Sequence, residues 1–303
     1  MNKFSPLKAA FSGIDFIKNN MDFSKKFILV FTIVYTLYYI ALAQLGYFEN
    51  LREIFSLFQT MEPQTMPSEM HPPNQGMQLG LATLTMFAYL ALSAAAQRKM
   101  LRGEETGFHG FTWGKDENRM LLSILILSGM YVGFVIVFSI VAVIIAVPLI
   151  MRDPNNSAMM MIALAILIIA LLPLAAFFMT RFSQYGVMCV AKRKIGVWES
   201  WRETKSQFWS FLGAHLIVYG AMMLVMALTW YFAIKTFGAA HVPKTALEFF
   251  HPLIILPTII SSAMIGALTL CANSVGAYAF YVMHGGEGVL ESETEKQGWP
   301  TPS

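Results

Sequence analysis

Long blocks of apolar residues with no charge in their interior dominate this sequence. A helix needs about 20 such residues to cross the roughly 30 Å hydrocarbon core of a membrane, and the blocks are that long. The composition agrees, since 56% of the residues are hydrophobic and 13% are charged, against about 25% charged in soluble domains. Because lipid offers the backbone no hydrogen-bond partners, the sequence predicts a membrane protein built from spanning helices.

Six blocks are predicted to span the membrane. They are Phe27–Tyr47, Met77–Ala96, Met120–Leu149, Ala158–Thr180, Phe211–Phe237 and Leu253–Met283. The predicted fold is all-α, a polytopic membrane helix bundle of six transmembrane helices with cytoplasmic interfacial amphipathic helices. We expect an interfacial helix over residues 1–24, the six-helix transmembrane domain over 25–284 and a disordered cytoplasmic tail over 285–303.

Two features of these blocks predict how the helices meet. In the last block, Ala263, Ala267 and Cys271 recur every four residues and form a face small enough for close helix packing. Pro173 and Pro257 lie inside predicted spans, where a proline is tolerated and can kink the helix.

The N-terminal segment has the pattern of a short helix. Ser5 followed by Pro6 is a favourable N-cap and first-turn pair. Apolar residues then follow at helical spacing: Phe4, Leu7, Phe11, Ile14 and Ile17. Two interpretations stay open, a helix lying in the membrane interface and a helix packed on the protein's own cytoplasmic side.

The distribution of positive charge predicts the orientation. With six spans, 17 of the 21 Lys and Arg residues fall on the side that holds both termini. The four on the other side are Arg52, Arg152, Lys235 and Lys244. Cytoplasmic loops carry the excess of Lys and Arg, so both termini are expected in the cytoplasm.

The most polar long segment between two apolar blocks is Lys192–Gly213, which holds three of the six tryptophans. We expect an amphipathic helix on the membrane face that runs into the fifth span. Together with Arg181 it predicts a lipid-headgroup or partner surface, formed by Arg181, Lys192, Arg193, Lys194, Trp198, Trp201, Arg202 and Trp209. The alternative is ordinary membrane anchoring with the positive charge that cytoplasmic loops carry.

Residues with catalytic chemistry are placed unfavourably. All 18 Asp and Glu residues lie outside the six predicted spans, and the sequence contains no phosphate-binding glycine loop, HExxH or nucleophile elbow. His215 and Asn273 are the polar residues nearest a span interior, and both are expected to serve helix packing. We therefore predict a protein that is not an enzyme and has no cofactor.

The loop of residues 61–77 contains Met61, Met66, Met70, His71 and Met77. Thioether and imidazole groups are ligands for Cu(I), so a copper site is one interpretation. A flexible loop in a chain with 21 methionines is the other. Cys189 and Cys271 have neither zinc-site spacing nor a disulfide framework.

Two stretches carry a family resemblance. One runs from Gln97 to Glu104 and continues from Phe111 to Arg119; the other runs from Arg181 to Gly213 and contains Glu199-Ser200-Trp201 and Phe208-Trp209 before a span. They resemble uncharacterised six-span bacterial inner-membrane proteins, which are similar to the membrane domain of glycerophosphoryl diester phosphodiesterases. The resemblance implies a six-helix membrane fold in a bacterial inner membrane and no catalytic residue. Lys205 departs from the family, in which a neutral or small residue often stands at this position.

The function predicted is that of a scaffold, a lipid-organising factor or an accessory subunit of a membrane complex. Its expected partners are membrane lipids, including anionic ones, and other membrane proteins, but not nucleic acid. The alternative is a transporter or flippase-like carrier of lipids or apolar solutes, which needs a cavity between helices and could use Pro173 and Pro257 as kinks. A membrane-embedded enzyme would need a polar cluster that no motif in the sequence indicates.

The orientation can be tested with a Thr65→Cys variant. We expect a membrane-impermeant thiol reagent to label this cysteine from the periplasmic side alone, because residue 65 lies in the loop after the first predicted span. The unsubstituted protein controls for Cys189 and Cys271. Labelling from the cytoplasmic side alone would reverse the predicted orientation.

Overall fold

The computed structural model describes residues 3–47, 74–105, 112–152, 171, 173–237 and 246–284. In this part of the chain every regular element is helical, which confirms the all-α prediction. The helices are α1 Pro6–Asn19, α2 Met21–Gln44, α3 Gln75–Arg102, α4 Lys115–Arg152, α5 over 173–182, α6 Tyr185–Ala191, α7 Val197–Glu203, α8 Phe208–Phe237, α9 Ala246–Phe249 and α10 Pro252–Met283.

Five of the described helices are long and apolar enough to cross a membrane. The corresponding stretches are Met21–Gln44, Gln75–Arg102, Lys115–Val141, Phe208–Thr229 and Ile254–Met283. The predicted fourth span falls mostly outside the described residues, so the number six stays a prediction. The loop of residues 61–73 and the tail 285–303 also lie outside them.

The ends of the helices follow local sequence signals. The Ser5 hydroxyl accepts the Lys8 N–H at 3.5 Å and Pro6 opens α1, as the sequence predicted. Helix α3 ends at Gly103, whose φ of 67° is a left-handed conformation that glycine adopts without strain. Pro257 lies inside α10, within one uninterrupted helix.

Helix α10 is the centre of the described bundle, since it contacts α1, α2, α3, α6 and α8. Small residues let these neighbours approach closely. A Cβ added at Gly266 would lie 3.1 Å from the Phe31 ring of α2, and one at Gly276 would lie 2.7 Å from Val187 of α6. Of the predicted packing face of α10, Cys271 is buried and Ala263 and Ala267 are half-buried, while the closest contacts occur at the two glycines.

Helix α1 packs between α10 and α8. The backbone at Gly13 lies so close to α10 that an added Cβ would be 2.4 Å from the Cys271 Cα atom. The Ser12 and Ser274 hydroxyl oxygens are 3.1 Å apart. At the start of the helix the Phe4 ring meets Phe211 of α8 edge to face, with centroids 4.8 Å apart.

The apolar residues of the N-terminal segment do not form one face, which corrects the predicted pattern. Phe4 is buried, whereas Leu7, Phe11 and Ile14 are 58%, 49% and 41% exposed. The reason is that the small residues of α1, centred on Gly13, allow the closest backbone approach and so face the protein. The helix therefore packs on the protein and also presents an uncovered apolar stripe.

Replacing Gly13 by Ala should lower the thermal unfolding temperature of the protein in detergent. The added methyl would overlap the α10 backbone, and overpacking of this kind costs about 1–3 kcal/mol. Gly220→Ala in α8 is the matched control, because its Cβ would meet nothing within 4 Å. Equal unfolding temperatures for the two variants would contradict the close α1–α10 contact.

Candidate lipid-headgroup interface

The two polar segments singled out in the sequence meet at one end of the bundle, here called the basic end (residues 97–105, 112–119 and 181–210). It joins the last turns of α3 and the first turn of α4 to α6 and α7. Helix α4 begins within it, at Lys115 rather than at the predicted Met120. Asp116 and Glu117 of this polar first turn are buried, whereas Lys115 and Asn118 are exposed.

Ion pairs join the first turn of α4 to α3, and a hydrogen bond joins α3 to α6. The Arg98 guanidinium donates to the Glu117 carboxylate, and both side chains are buried. Glu117 also accepts the Gly114 N–H at 2.9 Å, which caps the start of α4. Arg102 binds Asp116 at 3.0 Å and donates to the Val190 carbonyl of α6.

These four charged residues were missed as functional candidates in the sequence. A signal for them exists, because Arg98 and Arg102 are four residues apart on one helix face and Asp116 and Glu117 lie in a helical first turn. The sequence does not show that the two arginines contact the two acidic residues, because the pairs belong to different helices.

The segment Lys192–Gly213 is not one continuous amphipathic helix, which corrects the prediction. Helix α7 covers Val197–Glu203 and is separated from α8 by a turn. Polar side chains fold α7 back onto the end of α5. The Ser200 hydroxyl donates to the Arg181 carbonyl at 2.9 Å, and the Thr204 hydroxyl lies 3.0 Å from the same oxygen. Because these bonds satisfy a carbonyl at a helix end, they anchor α7 there.

Gly196 is required for the same arrangement. A Cβ at this position would lie 2.0 Å from the Tyr185 carbonyl oxygen, so a larger residue would push α7 away from α6. The turn before it contains Arg193, whose φ of 54° is in the left-handed region that residues with a Cβ rarely adopt.

The structure brings two of the eight predicted surface residues together in the interior. The Arg181 guanidinium carbon lies 4.3 Å from the centroid of the Trp201 ring and 5.7 Å from that of Phe177. Arg181 is 6% exposed, so it is not an open surface residue as predicted. Trp201 is half-buried and packs against Phe182, with ring centroids 5.3 Å apart.

The other six predicted residues are more accessible. Lys192 binds Glu203 at 2.7 Å, and Arg202 binds Glu199 at 2.8 Å with most of its side chain exposed. The remaining four are exposed: Arg193, Lys194, Trp198 and Trp209. Trp198 and Trp209 are 61% and 78% exposed, which is unusual for the largest apolar side chain unless it faces lipid or a partner.

The polar residues near the span interiors have structural partners. Gln97 of α3 donates to the Asn273 side-chain oxygen of α10 at 3.1 Å, which confirms the predicted interhelical hydrogen bond. The His215 Nδ1 atom lies 2.8 Å from the Phe211 carbonyl oxygen of its own helix. Burial raises the pKa of the Cys189 thiol, which disfavours the nucleophilic thiolate. Over the described ranges no cluster of three His, Cys, Asp or Glu residues could hold a metal ion.

Comparison with known proteins gives no relative: no family model matches the chain, and neither a curated protein nor a solved structure is significantly similar to it.

The Arg98–Glu117 pair should be essential for stability. Glu117→Gln leaves the buried Arg98 without its counter-charge, and breaking a buried pair costs about 3–5 kcal/mol. Thermal unfolding in detergent measures this loss. Glu199→Gln is the control, because it breaks the exposed pair with Arg202 and should cost less than about 1 kcal/mol. A Glu117→Gln effect as small as the control would mean that Arg98 is stabilised without the carboxylate.

Proposed function

We propose that this protein is a non-catalytic integral membrane protein that binds anionic lipid headgroups at its basic end and acts as a lipid-organising factor or scaffold. One observation carries the proposal. At the basic end, Trp198 and Trp209 are strongly exposed, and Arg193 and Lys194 are exposed near the start of α7. Tryptophan favours the headgroup level of a membrane, and each basic residue near an anionic surface contributes about 1 kcal/mol of attraction.

The uncovered stripe of α1 supports the same location. Leu7, Phe11 and Ile14 are spaced by four and three residues, so they lie along one side of the helix. Lys8 and Lys18 on the same helix are exposed. An apolar stripe with neighbouring lysines is typical of a helix in the membrane interface.

The orientation and setting are part of the proposal. The basic end faces the cytoplasm of a bacterial inner membrane, with six spans and both termini on that side, as the distribution of Lys and Arg favours. The resemblance to the membrane domain of glycerophosphoryl diester phosphodiesterases stays a prediction that would fit this setting.

A second candidate function, a carrier of lipids or apolar solutes, is favoured by a groove between α2 and α3. The groove has a volume of about 340 Å³. Its lining residues are Tyr35, Tyr38, Ala82, Thr85, Met86 and Tyr89. Three tyrosines and a threonine line this groove, so its wall offers hydroxyl-bearing side chains to the polar end of a solute. Vesicles containing the purified protein should then exchange a labelled lipid between leaflets faster than empty vesicles.

The proposed lipid binding can be tested by purifying the protein in mild detergent from membranes of equal phosphatidylglycerol and phosphatidylcholine. Mass spectrometry then measures the ratio of the two lipids that remain bound. We expect several-fold enrichment of phosphatidylglycerol with the unsubstituted protein. The double variant Arg193→Glu, Lys194→Glu should bring the ratio close to that of the membrane, because two attractive charges become repulsive.

The matched control is Arg52→Glu, Lys244→Glu, which changes the net charge equally in loops predicted on the other side of the membrane. It should retain most of the enrichment. An unsubstituted protein without enrichment would refute the proposal. Equal losses in both double variants would show that total charge, rather than the surface near α7, attracts the lipid.

A further inference from the structure

Within the described residues, Arg181 is a buried charged residue without an opposite charge. Its exposed fraction is 6%, and its Nε atom is buried without a hydrogen-bond partner. Over the part of the chain that the structure describes, no carboxylate forms an ion pair with it, whereas Arg98 at the same end has Glu117. None of the described carboxylates therefore neutralises the charge of Arg181.

The contacts that Arg181 does make balance its charge incompletely. Trp201 and Phe177 offer their ring faces, and a cation over an aromatic ring is attracted to it. This attraction is weaker than the cost of taking an unpaired guanidinium out of water. The Arg181 carbonyl is already occupied by Ser200 and Thr204. A bound anion would neutralise the charge of the Arg181 guanidinium.

The position of Arg181 indicates which anion is available. It follows directly on the apolar sequence block that ends at Thr180. Leu174 and Phe177 precede it by seven and four residues on the same helix side, and each is 37% exposed. An apolar strip that leads to an arginine is the pattern that fits an acyl chain below a phosphate group.

We propose that Arg181 and Trp201 form a subsite for the phosphate group of one phospholipid. The planar guanidinium can donate two parallel hydrogen bonds to phosphate oxygens, which a lysine cannot reproduce. Trp201 is half-buried over the guanidinium, so a phosphate bound there would lie next to its ring and change its fluorescence. This inference rests on the proposed lipid binding and adds to it a single site of defined stoichiometry, separate from the exposed Arg193 and Lys194.

The test uses the full-length protein in mild detergent, titrated with a short-chain phosphatidylglycerol and, separately, with inorganic phosphate. Native mass spectrometry counts the bound lipids, and tryptophan fluorescence follows the binding curve. We expect one tightly bound phospholipid, at least tenfold weaker binding in Arg181→Gln and an intermediate loss in Arg181→Lys. Lys25→Gln removes a positive charge from an exposed position on α2 and should change the affinity less than twofold.

Thermal unfolding with and without the lipid separates binding from packing. If Arg181 binds phosphate, the lipid should raise the unfolding temperature of the unsubstituted protein but not that of Arg181→Gln. If Arg181→Gln lowers the unfolding temperatures with and without lipid by the same amount, the lipid still stabilises the variant fully. Arg181 then serves packing alone and the proposal is wrong. If Arg181→Gln does not fold, Trp201→Phe replaces it, and the fluorescence change on binding should then disappear.

The outcomes also distinguish this inference from the proposed function. Phosphatidylglycerol enrichment that depends on Arg193 and Lys194, with equal lipid binding by Arg181→Gln, would overturn the subsite alone. If the unsubstituted protein showed no phosphatidylglycerol enrichment at all, the proposed function would be overturned. Binding of inorganic phosphate that requires Arg181, without any retained phospholipid, would assign the phosphate subsite to a soluble ligand.

Discussion

The close approach of helices to α10 is the constraint on which the rest of the described bundle depends. In lipid, apolar side chains gain little by leaving the solvent, so helices associate through close packing and a few hydrogen bonds. Gly13, Gly266 and Gly276 provide that packing where α1, α2 and α6 meet α10. The Gln97–Asn273 hydrogen bond adds a polar connection between α3 and α10. Most of the described helices therefore take their position from one central helix.

The basic end follows a different principle, because charges rather than small residues join its parts. Arg98 and Arg102 bind the acidic first turn of α4 and so fix the position at which this long helix begins. Among the described residues, Arg181 has the same burial but has aromatic rings as neighbours in place of a carboxylate. Arg98, which is paired with Glu117, therefore has a structural role, whereas the charge of Arg181 is available to a ligand.

The sequence predicted the elements that depend on local composition. The α-helical class and the positions of the described spanning helices follow from the length of the apolar blocks, and the start of α1 follows from Ser5 and Pro6. The break after α7 and the burial of Arg181 could not be predicted. Both arise when Ser200 and Thr204 bind a carbonyl about 20 residues away, and apolar periodicity does not encode such contacts. The early start of α4 was missed because its polar first turn is buried by partners on another helix.

The reactivity of the two buried cysteines can report local opening of the protein. Cys271 lies beneath α1 at Gly13, and Cys189 lies between α4 and α7, 3.3 Å from the Ser123 hydroxyl. Both thiols are buried, so a reagent reaches each one only when the element above it opens. The rate at which Cys271 reacts measures the release of α1, and the rate for Cys189 measures the loosening of the basic end. A lipid that stabilises only one of these two regions should slow the reaction of the cysteine in that region and leave the other rate unchanged.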